Sequence, residues 1–354
     1  MALKIEALID TDALRHNLAC VRALAPQSRV LAVVKADAYG HGVRHIVPAL
    51  GDADALAVAH IDEALELREL SAQPIVVLEG FLDAAEWQNC LMKTLTPVLH
   101  QPEQLRMIEQ HPPPRGFSAW IKIDTGMHRL GFAPEELPEV LARLRAVQPL
   151  LELVLMTHLA RAEDRTHPGT AAQMALFDRT NASAGLPASI ANSAGIVCWP
   201  WSQREWVRPG LMLYGVAPPG CAVELRPVMT LRSRVIALRR VSAGESVGYG
   251  GRWRATSETV IATVSAGYAD GYPAQVPDGT RVLVNGEPGR IAGRPSMDMI
   301  GVDLGPQTGV RVGDEALLWG PALPVDVVAS AAGLLPYQLL TGVSKRVMRR
   351  GGRA

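Results

Sequence analysis

The sequence predicts an α/β fold, with an N-terminal (β/α)8 barrel of the TIM type followed by a C-terminal, mostly β domain. Eight short apolar, β-rich runs recur through the first two-thirds of the 354 residues, and segments with helical periodicity lie between most of them. From about residue 227 the alternation of β runs and helical segments ends, and closely spaced β runs separated by glycines follow. Strands that alternate with helices in this number match a parallel barrel better than an open doubly wound sheet.

The predicted barrel strands are rich in aliphatic and β-branched residues. They lie around 29–34, 55–59, 74–78, 95–98, 119–123, 152–157, 188–192 and 206–214. Residues 64–70 and 136–145 have the apolar spacing of helices that cover a sheet. An open dinucleotide-binding sheet would show G-x-G-x-x-G after its first strand, whereas this chain has Lys35-Ala-Asp-Ala-Tyr39-Gly there.

We assign residues 1–230 to the barrel and residues 231–354 to the β domain. The strands predicted around this second part of the chain include 229–238, 258–265, 281–284 and 315–319, and Asn285-Gly286 suits a hairpin turn. The basic cluster at 345–350 is predicted to be the solvated last turn of a terminal helix, because cations suit that end of the helix dipole.

Composition excludes several classes of function. The 35 basic and 35 acidic side chains cancel, and no basic run is dense enough for a nucleic-acid partner. The four cysteines are far apart without a C-x-x-C pair, so we expect reduced thiols, no disulfide framework and no zinc. No histidine pair has metal spacing, so no metal is predicted. The charged N-terminus and the lack of an 18-residue apolar window predict a cytoplasmic protein without a membrane segment.

Lys35 is the most informative single residue. The chain has five lysines among its 35 basic residues, and Lys35 stands at the end of the first apolar run. A lysine amine at the mouth of an apolar site can lose its proton and attack a carbonyl, whereas an arginine stays protonated. The alternative on position alone is a strand-terminal lysine whose ammonium group reaches solvent.

Polar residues follow several of the other runs, where the loops of a barrel build its active site. They include Lys122, Arg129, His158, Asn192, Ser193 and Arg208, and Gly210 and Leu211 follow closely after Arg208. Hydroxyls and backbone N–H groups near glycines bind phosphate, and Tyr39, Ser193, Gly210 and Leu211 could supply them. Asn-Ser-Ala-Gly by itself also makes an ordinary helix N-cap.

Residues 33–42, Val-Val-Lys-Ala-Asp-Ala-Tyr-Gly-His-Gly, resemble the pyridoxal-phosphate lysine signature of the alanine racemases. Seven further segments resemble motifs of that family in order and spacing. They are residues 122–132, 191–195, 206–215, 248–250, 267–273, 296–298 and 336–337. Eight segments in register, spread over both predicted domains, make the resemblance specific.

The resemblance implies that Lys35 holds pyridoxal 5'-phosphate as a Schiff base and acts as one of two opposed bases, with Tyr268 as the other. Racemisation removes a proton from one face of Cα and delivers one to the opposite face, so two such groups are needed. His158 and Arg208 are expected to tune Tyr268. The arginine that matches Arg208 faces the pyridine nitrogen, where a fixed cation favours racemisation over transamination.

The same resemblance implies roles for the remaining site residues. Arg129 would contact the phenolic oxygen of the cofactor and the substrate carboxylate, and the backbone N–H of Met297 would help to bind that carboxylate. Lys122 matches a lysine that is often carbamylated to orient the arginine; a plain lysine paired with an acid is the alternative. The residues expected around the cofactor and its phosphate are Tyr39, His158, Asn192, Ser193, Gly210, Leu211 and Tyr337.

A homodimer is also implied, in which Tyr268 and Met297 of one chain enter the barrel mouth of the other. Tyr249 and Tyr272 would narrow the entrance, with packing inside the β domain as the alternative. Ala274 and Pro295 depart from the residues common in the family and bear on substrate tolerance.

The implied reaction interconverts L-alanine and D-alanine, either to supply D-alanine for peptidoglycan or to degrade alanine. One alternative is a racemase of broader amino-acid range. Another is an amino-acid decarboxylase of similar fold, although such enzymes place a glutamate where this chain has Arg208. A cofactor carrier made of a single barrel would lack the second domain, and a barrel with a merely structural Lys35 would leave the polar strand ends unexplained.

Overall fold

The structure is a computed structural model that describes residues 5–352, and it contains a closed barrel of eight parallel strands. The chain begins with β1 (Ile5–Ile9), which lies outside the barrel. The barrel strands follow as β2 (Arg29–Val33), β3 (Ala55–Val58), β4 (Ile75–Val77), β5 (Thr96–Leu99), β6 (Ser118–Lys122), β7 (Glu152–Met156), β8 (Ala188–Asn192) and β9 (Trp206–Arg208). Each coincides with one of the eight predicted runs, so the predicted fold class is confirmed.

The last run is shorter than predicted. Strand β9 ends at Arg208, and Leu211–Tyr214 forms a turn of 3-10 helix instead of continuing the strand. Pro209 has no N–H to donate to a neighbouring strand, so the ladder stops there. The break brings Gly210 and Leu211 to the end of the barrel.

One helix precedes the first barrel strand, and others occupy most of the intervals between the barrel strands. They are Thr11–Leu24, Val43–Ile46, Ile61–Arg68, Ala84–Met92, Pro102–Gln110, Leu137–Val147, Gly169–Ala182 and Ser193–Cys198, with Val325–Ala331 and Pro336–Gly342 following in the second domain. The first helix shows why they start where they do, because Asp10 caps it by accepting the N–H groups of Asp12 and Ala13, each at 2.9 Å. Within residues 5–352, no helix combines the length and the apolar character needed to cross a membrane.

The second domain is built on one sheet of eight strands. Its later strands are β10 (Met229–Val241), β13 (Thr259–Val264), β14 (Arg281–Val284), β15 (Glu287–Ile291), β16 (Ile300–Asp303), β17 (Glu315–Trp319) and β18 (Met348–Gly351), with β11 (Ser246–Val247) and β12 (Trp253–Arg254) as a separate ribbon. The order is β13-β16-β15-β14-β17-β10-β1-β18, and the long β10 also pairs with β13. Asn285 and Gly286 have φ of 51° and 79° and form the predicted hairpin turn.

The first strand of the chain belongs to this second sheet. Strand β1 pairs antiparallel with β10, with Ile5 opposite Ser233, and parallel with β18, with Glu6 opposite Met348. The sheet of the second domain therefore takes strands from both sides of the barrel segment of the chain, β1 before it and β10 after it. The boundary between residues 230 and 231 stays a prediction.

The basic cluster near the C-terminus is not the helical turn that the sequence predicts. The helix Pro336–Gly342 ends before it, and Met348–Gly351 forms strand β18 beside β1. Pairing with a strand more than 300 residues away outweighs the local pattern. Arg349 is only half-buried, but its guanidinium points inward, where it donates to the carbonyls of Gly40 and Val343.

The prediction of four reduced thiols is wrong for one pair. Cys198 and Cys221 form a disulfide, with Cα atoms 6.3 Å apart, whereas Cys20 and Cys90 are free. Cys198 ends a helix and Cys221 lies in the loop that leads to β10. The fold brings the two together, and their 23-residue spacing resembles no short cysteine motif.

Candidate active site

A cavity of about 810 Å³ lies at the carboxyl ends of the barrel strands. It gathers all of the predicted site residues except Tyr268 and Met297. Those that line it are Lys35, Tyr39, Lys122, Arg129, His158, Asn192, Ser193, Arg208, Gly210, Leu211 and Tyr337. The volume suits a small organic ligand, because such pockets typically enclose roughly 300–1,000 Å³.

The segment that carries Lys35 has an unusual backbone. Ala36, Asp37, Ala38 and Tyr39 have φ of 53°, 52°, 54° and 53°, so they form one turn of left-handed helix directly after the strand. This conformation costs about 1–2 kcal/mol per non-glycine residue. Both Lys35, before the turn, and Tyr39, at its end, line the cavity as a result.

The two lysines of the cavity have lowered pKa values. Burial is the largest cause for Lys35, and the nearby Arg129 lowers its pKa further, against Glu79 and Glu63. Lys122 is only 6% exposed, and burial, then Arg129 and Arg208, lower its pKa to about 8. Each amine is therefore neutral over a wider pH range than an exposed lysine, as nucleophilic chemistry requires.

Arg208 is a buried cation held by uncharged acceptors. It is 4% exposed and donates to Ser189 Oγ at 2.6 Å, to the Thr157 carbonyl at 2.6 Å and to the Ile190 carbonyl at 3.2 Å. Burial lowers its pKa to about 10, which leaves it charged at neutral pH. Burial first, and Arg208 next, hold the pKa of His158 well below its ordinary value, so His158 is a neutral imidazole.

Hydroxyl groups and backbone amides meet at the other end of the cavity. Ser193 Oγ accepts the N–H of Gly210 at 2.9 Å and that of Met212 at 3.4 Å, so its own hydrogen is available to a ligand oxygen. Burial raises the pKa of Tyr39, which therefore stays protonated. A Cβ at position 210 would overlap the Tyr39 hydroxyl, so a larger residue there would displace the tyrosine.

Aromatic packing fixes the direction of Tyr39. Its ring stacks on Tyr214 at a centroid distance of 4.7 Å and lies 5.9 Å from the ring of Tyr337. Tyr214 is anchored in turn, because its hydroxyl donates to the Val33 carbonyl at 3.0 Å. Asn192 caps the helix Ser193–Cys198 by accepting the Gly195 N–H at 2.9 Å, so the ordinary capping role is confirmed for it even though it also lines the cavity.

Tyr268 and Met297 lie on a different surface of the same chain. They are 46% and 53% exposed and line a second concave surface together with Tyr249, Arg252, Ala274, Gln275, Arg294, Pro295 and Ser296. The Tyr268 N–H donates to the Ser296 carbonyl at 3.1 Å, and the Ala269 N–H donates to the Met297 carbonyl at 3.0 Å. The two predicted residues are therefore held together, but apart from Lys35 of their own chain.

The loops around Tyr268 are tied further by one arginine. Arg346 contacts Asp270 Oδ1 at 3.0 Å and Asp298 Oδ1 at 2.8 Å, which links the tyrosine loop to the methionine loop. Tyr272 is buried in the second domain, so the packing alternative is the right one for it, whereas Tyr249 is exposed beside Tyr268.

Sequence reasoning missed three residues that act on the Lys35 turn. Glu63 accepts the Ala36 N–H, Tyr214 packs on Tyr39, and Arg349 donates to the Gly40 carbonyl. A glutamate three residues after His60 does signal a helix start, and Glu63 indeed accepts the His60 N–H at 3.4 Å. Nothing in the sequence signals its contact with Ala36.

The fold and the cavity together define a two-domain barrel enzyme with a lysine amine in a cationic pocket at the strand ends. Two family models match the chain: the alanine racemase N-terminal domain over residues 9–218 and the alanine racemase C-terminal domain over residues 228–351. The chain therefore belongs to the alanine racemase family. It is an amino-acid isomerase, and its relatives support racemisation of alanine as its reaction.

Curated relatives and solved structures agree over nearly the full length. Alanine racemase from Aeromonas hydrophila subsp. hydrophila is 47% identical over 347 residues, which cover 96% of this chain and 97% of the relative. The structure of a biosynthetic alanine racemase from Pseudomonas aeruginosa is similar with a TM-score of 0.94 at 44% identity, over 99% of this chain and all of that one. An alanine racemase from Bartonella henselae with covalently bound pyridoxal phosphate has a TM-score of 0.90 at 32% identity, over 99% of this chain and 100% of that one.

Proposed function

We propose that this protein interconverts L-alanine and D-alanine with pyridoxal 5'-phosphate as cofactor, using Lys35 and Tyr268 on opposite faces of the substrate. The observation that carries the proposal is the pairing, in one cavity, of a lysine of lowered pKa with the buried cation Arg208. The lowered pKa favours the neutral, nucleophilic form of the Lys35 amine, and Arg208 favours racemisation over the competing reactions of an amino acid.

The residues of the cavity fit the cofactor. Ser193 has a free hydroxyl hydrogen, and the protonated hydroxyl of Tyr39 lies directly against Gly210, so this end suits a phosphate. Lys35 suits the aldehyde at the other end, because a neutral amine forms a Schiff base. Two cationic side chains, Arg129 and Arg208, suit the charge of a phosphate together with a substrate carboxylate.

When bound, pyridoxal phosphate supplies the electron sink that makes the Cα proton of an amino acid acidic. The chain supplies the proton transfers. The Lys35 Nζ atom would accept or donate the proton on one face of Cα. The Tyr268 hydroxyl does the same on the opposite face, so that a proton removed from one face is replaced from the other.

Arg208 decides which reaction follows. Its hydrogen bonds to Ser189, Thr157 and Ile190 fix a cation in the cavity without a neutralising acid among them. With pyridoxal phosphate bound, this fixed cation would disfavour protonation of the cofactor ring and so weaken the ring as an electron sink. This supports racemisation over transamination. It disfavours the decarboxylase alternative, which needs an acid at this position.

Arg129 and Lys122 are assigned to the substrate carboxylate. Arg129 lines the cavity and acts electrostatically on both lysines, so an anion beside it would be stabilised. Lys122, with a pKa of about 8, has the neutral amine that carbamylation needs. The carbamate would carry a negative charge next to Arg129 and orient its guanidinium.

The proposed active site needs two copies of the chain. Tyr268 and Met297 are exposed, are held together by backbone hydrogen bonds, and lie outside the cavity of their own chain. A homodimer in which each second domain faces the barrel mouth of the other would bring Tyr268 to the partner's cofactor. Ala274 and Pro295 line the same concave surface as Tyr268, which supports their influence on substrate range.

A chiral assay of purified protein with L-alanine and pyridoxal phosphate tests the function, run together with detection of carbon dioxide. Convergence on equal amounts of D- and L-alanine without carbon dioxide is expected. Carbon dioxide would favour the decarboxylase, and turnover of other amino acids at similar rates would favour the broader racemase. The cytoplasmic location and the choice between peptidoglycan supply and alanine degradation stay predictions.

A further inference from the structure

We propose that Glu63 and Arg349 are positioning residues that clamp the two ends of the left-handed turn after Lys35 and thereby set the direction of its amine. The proposal rests on the proposed role of Lys35 as the cofactor lysine. Neither residue lines the cavity, and Arg349 comes from the last strand of the second domain.

Glu63 holds the start of the turn. Its Oε1 accepts the N–H of Ala36, the residue directly after Lys35, at 2.6 Å, and its Oε2 accepts the N–H of Ala59 at 2.8 Å. Ala59 follows the end of β3, so the carboxylate ties the turn to the neighbouring barrel strand. Hydrogen bonds to a charged acceptor are about twice as strong as neutral ones, which makes this a firm constraint on the Lys35–Ala36 peptide.

Arg349 holds the end of the turn. Its Nε donates to the carbonyl of Gly40 at 2.7 Å, while its Nη2 donates to the carbonyl of Val343 at 2.8 Å. Gly40 also packs so closely on the backbone of Leu340 that a Cβ would overlap the Leu340 carbonyl. The turn is therefore pressed against the second domain at the residue after Tyr39.

Hydrogen bonds inside the turn close it on itself. The N–H groups of Ala38, Gly40 and Gly42 donate to the carbonyls of Val34, Ala36 and Asp37, each at 2.9 Å, and Asp37 accepts the Val43 N–H at 2.7 Å. These bonds lie within residues 34–43 and do not attach the turn to β3 or to the second domain. Four successive non-glycine residues with positive φ are unfavourable, and such a backbone persists only where its surroundings over-determine it. Fixed attachments at both ends are what keep the Lys35 side chain at one angle to the cavity.

The chain offers matched controls for both residues. Glu66 lies on the same helix as Glu63 but is exposed and pairs with Arg44 at 3.3 Å. Arg350 follows Arg349 on the same strand but is exposed, with Nε 3.3 Å from Met348 Sδ and 3.7 Å from Glu6. Neither control residue touches the turn through these contacts.

The test compares Glu63→Gln and Arg349→Lys with Glu66→Gln and Arg350→Lys in the full-length protein. Glu63→Gln turns an NH2 group toward one of two backbone N–H donors, and Arg349→Lys keeps the charge but loses the planar fork.

Apoprotein is mixed with pyridoxal phosphate, and borohydride traps the product at timed intervals by adding hydride to the carbon of the C=N bond, with solvent supplying the nitrogen proton. Mass spectrometry measures the fraction modified at Lys35. Circular dichroism of the bound cofactor and thermal unfolding are recorded in parallel.

Both clamp variants should attach the cofactor to Lys35 about tenfold more slowly, which is the size of effect expected from losing one hydrogen bond to a charged group. Their cofactor circular dichroism should change, and both controls should match the wild type. The proposal would be overturned if both clamp variants fold and show wild-type attachment rates and wild-type circular dichroism. This holds even if their melting temperatures are lower than that of the wild type. If the wild type itself is not modified at Lys35, the proposed function fails and the clamp fails with it.

Discussion

Nη2 of Arg208 lies 3.5 Å from Nδ1 of His158, and both side chains line the cavity at the carboxyl ends of the barrel strands. The guanidinium is fixed by carbonyl and hydroxyl oxygens, so it keeps its charge without an acid to neutralise it. The imidazole beside it is deprived of its proton by burial and by this cation. The pair therefore presents one permanent positive charge and one neutral ring to the cavity.

Replacing the cation should change the titration of its neighbour. We expect Arg208→Gln to raise the pKa of His158 toward its ordinary value while leaving it lowered, because burial, the larger cause, remains. The measurement is an NMR titration of the His158 ring in the ligand-free protein. Arg204→Gln is the control, since Arg204 pairs with Asp178 and does not line the cavity. An unchanged His158 titration in Arg208→Gln would show that the two groups are not coupled.

Gly210 makes a second, steric prediction. Gly210→Ala should weaken binding of pyridoxal phosphate by roughly tenfold or more, because displacing one well-placed hydrogen-bond donor costs ~1–3 kcal/mol. The new Cβ overlaps the Tyr39 hydroxyl, so the hydroxyl has to leave its position at the expense of the ring stacking on Tyr214. Titration of the apoprotein with the cofactor gives the affinity. Gly51→Ala is the control, because a Cβ there meets nothing within 4 Å. Equal affinities for the two variants would remove Tyr39 and Gly210 from the phosphate site.

Much of the barrel could be predicted because its strands are buried on both faces. Runs such as 30–33 and Ala55–Val58 are aliphatic throughout, and their spacing leaves room for helical segments between neighbours. The failures concern contacts between distant parts of the chain. Met348–Gly351 becomes a strand because Ile5–Ile9 lies beside it, and Cys198 meets Cys221 because a loop returns past a helix end. No local sequence pattern indicates either of these contacts.

The candidate active site likewise contains residues that a local sequence pattern predicts and residues that it does not. Residues directly after a strand, such as Lys35 and His158, could be placed because parallel strands end at one edge of a barrel. The left-handed turn could not be foreseen, since Ala-Asp-Ala-Tyr contains no glycine and has no preference for positive φ. Glu63 and Arg349, which hold that turn, were missed for the same reason.

Lys122 makes a prediction about pH. Only a neutral amine reacts with carbon dioxide, and the pKa of Lys122 is lowered to about 8, chiefly by burial. Carbamate on Lys122 should therefore increase as the pH rises through about 8, well below the range in which an exposed lysine would respond. The measurement is the 13C NMR carbamate signal in protein equilibrated with 13C-labelled bicarbonate. Lys122→Met should abolish that signal and Lys93→Met should keep it. A signal that survives in Lys122→Met would assign the carbamate elsewhere.

The separation of Lys35 from Tyr268 within one chain predicts complementation between two inactive variants. Lys35→Ala and Tyr268→Phe should each be inactive as homodimers, because every shared site then lacks one base. After mixing and reassortment, a mixed dimer has one site with both bases and one with neither, so activity should recover to about a quarter of the wild-type value. Racemisation of L-alanine before and after reassortment gives the comparison, and each variant taken alone through the same steps is the control. No recovery, with mixed dimers detected by native mass spectrometry, would show that each chain supplies both of its own bases.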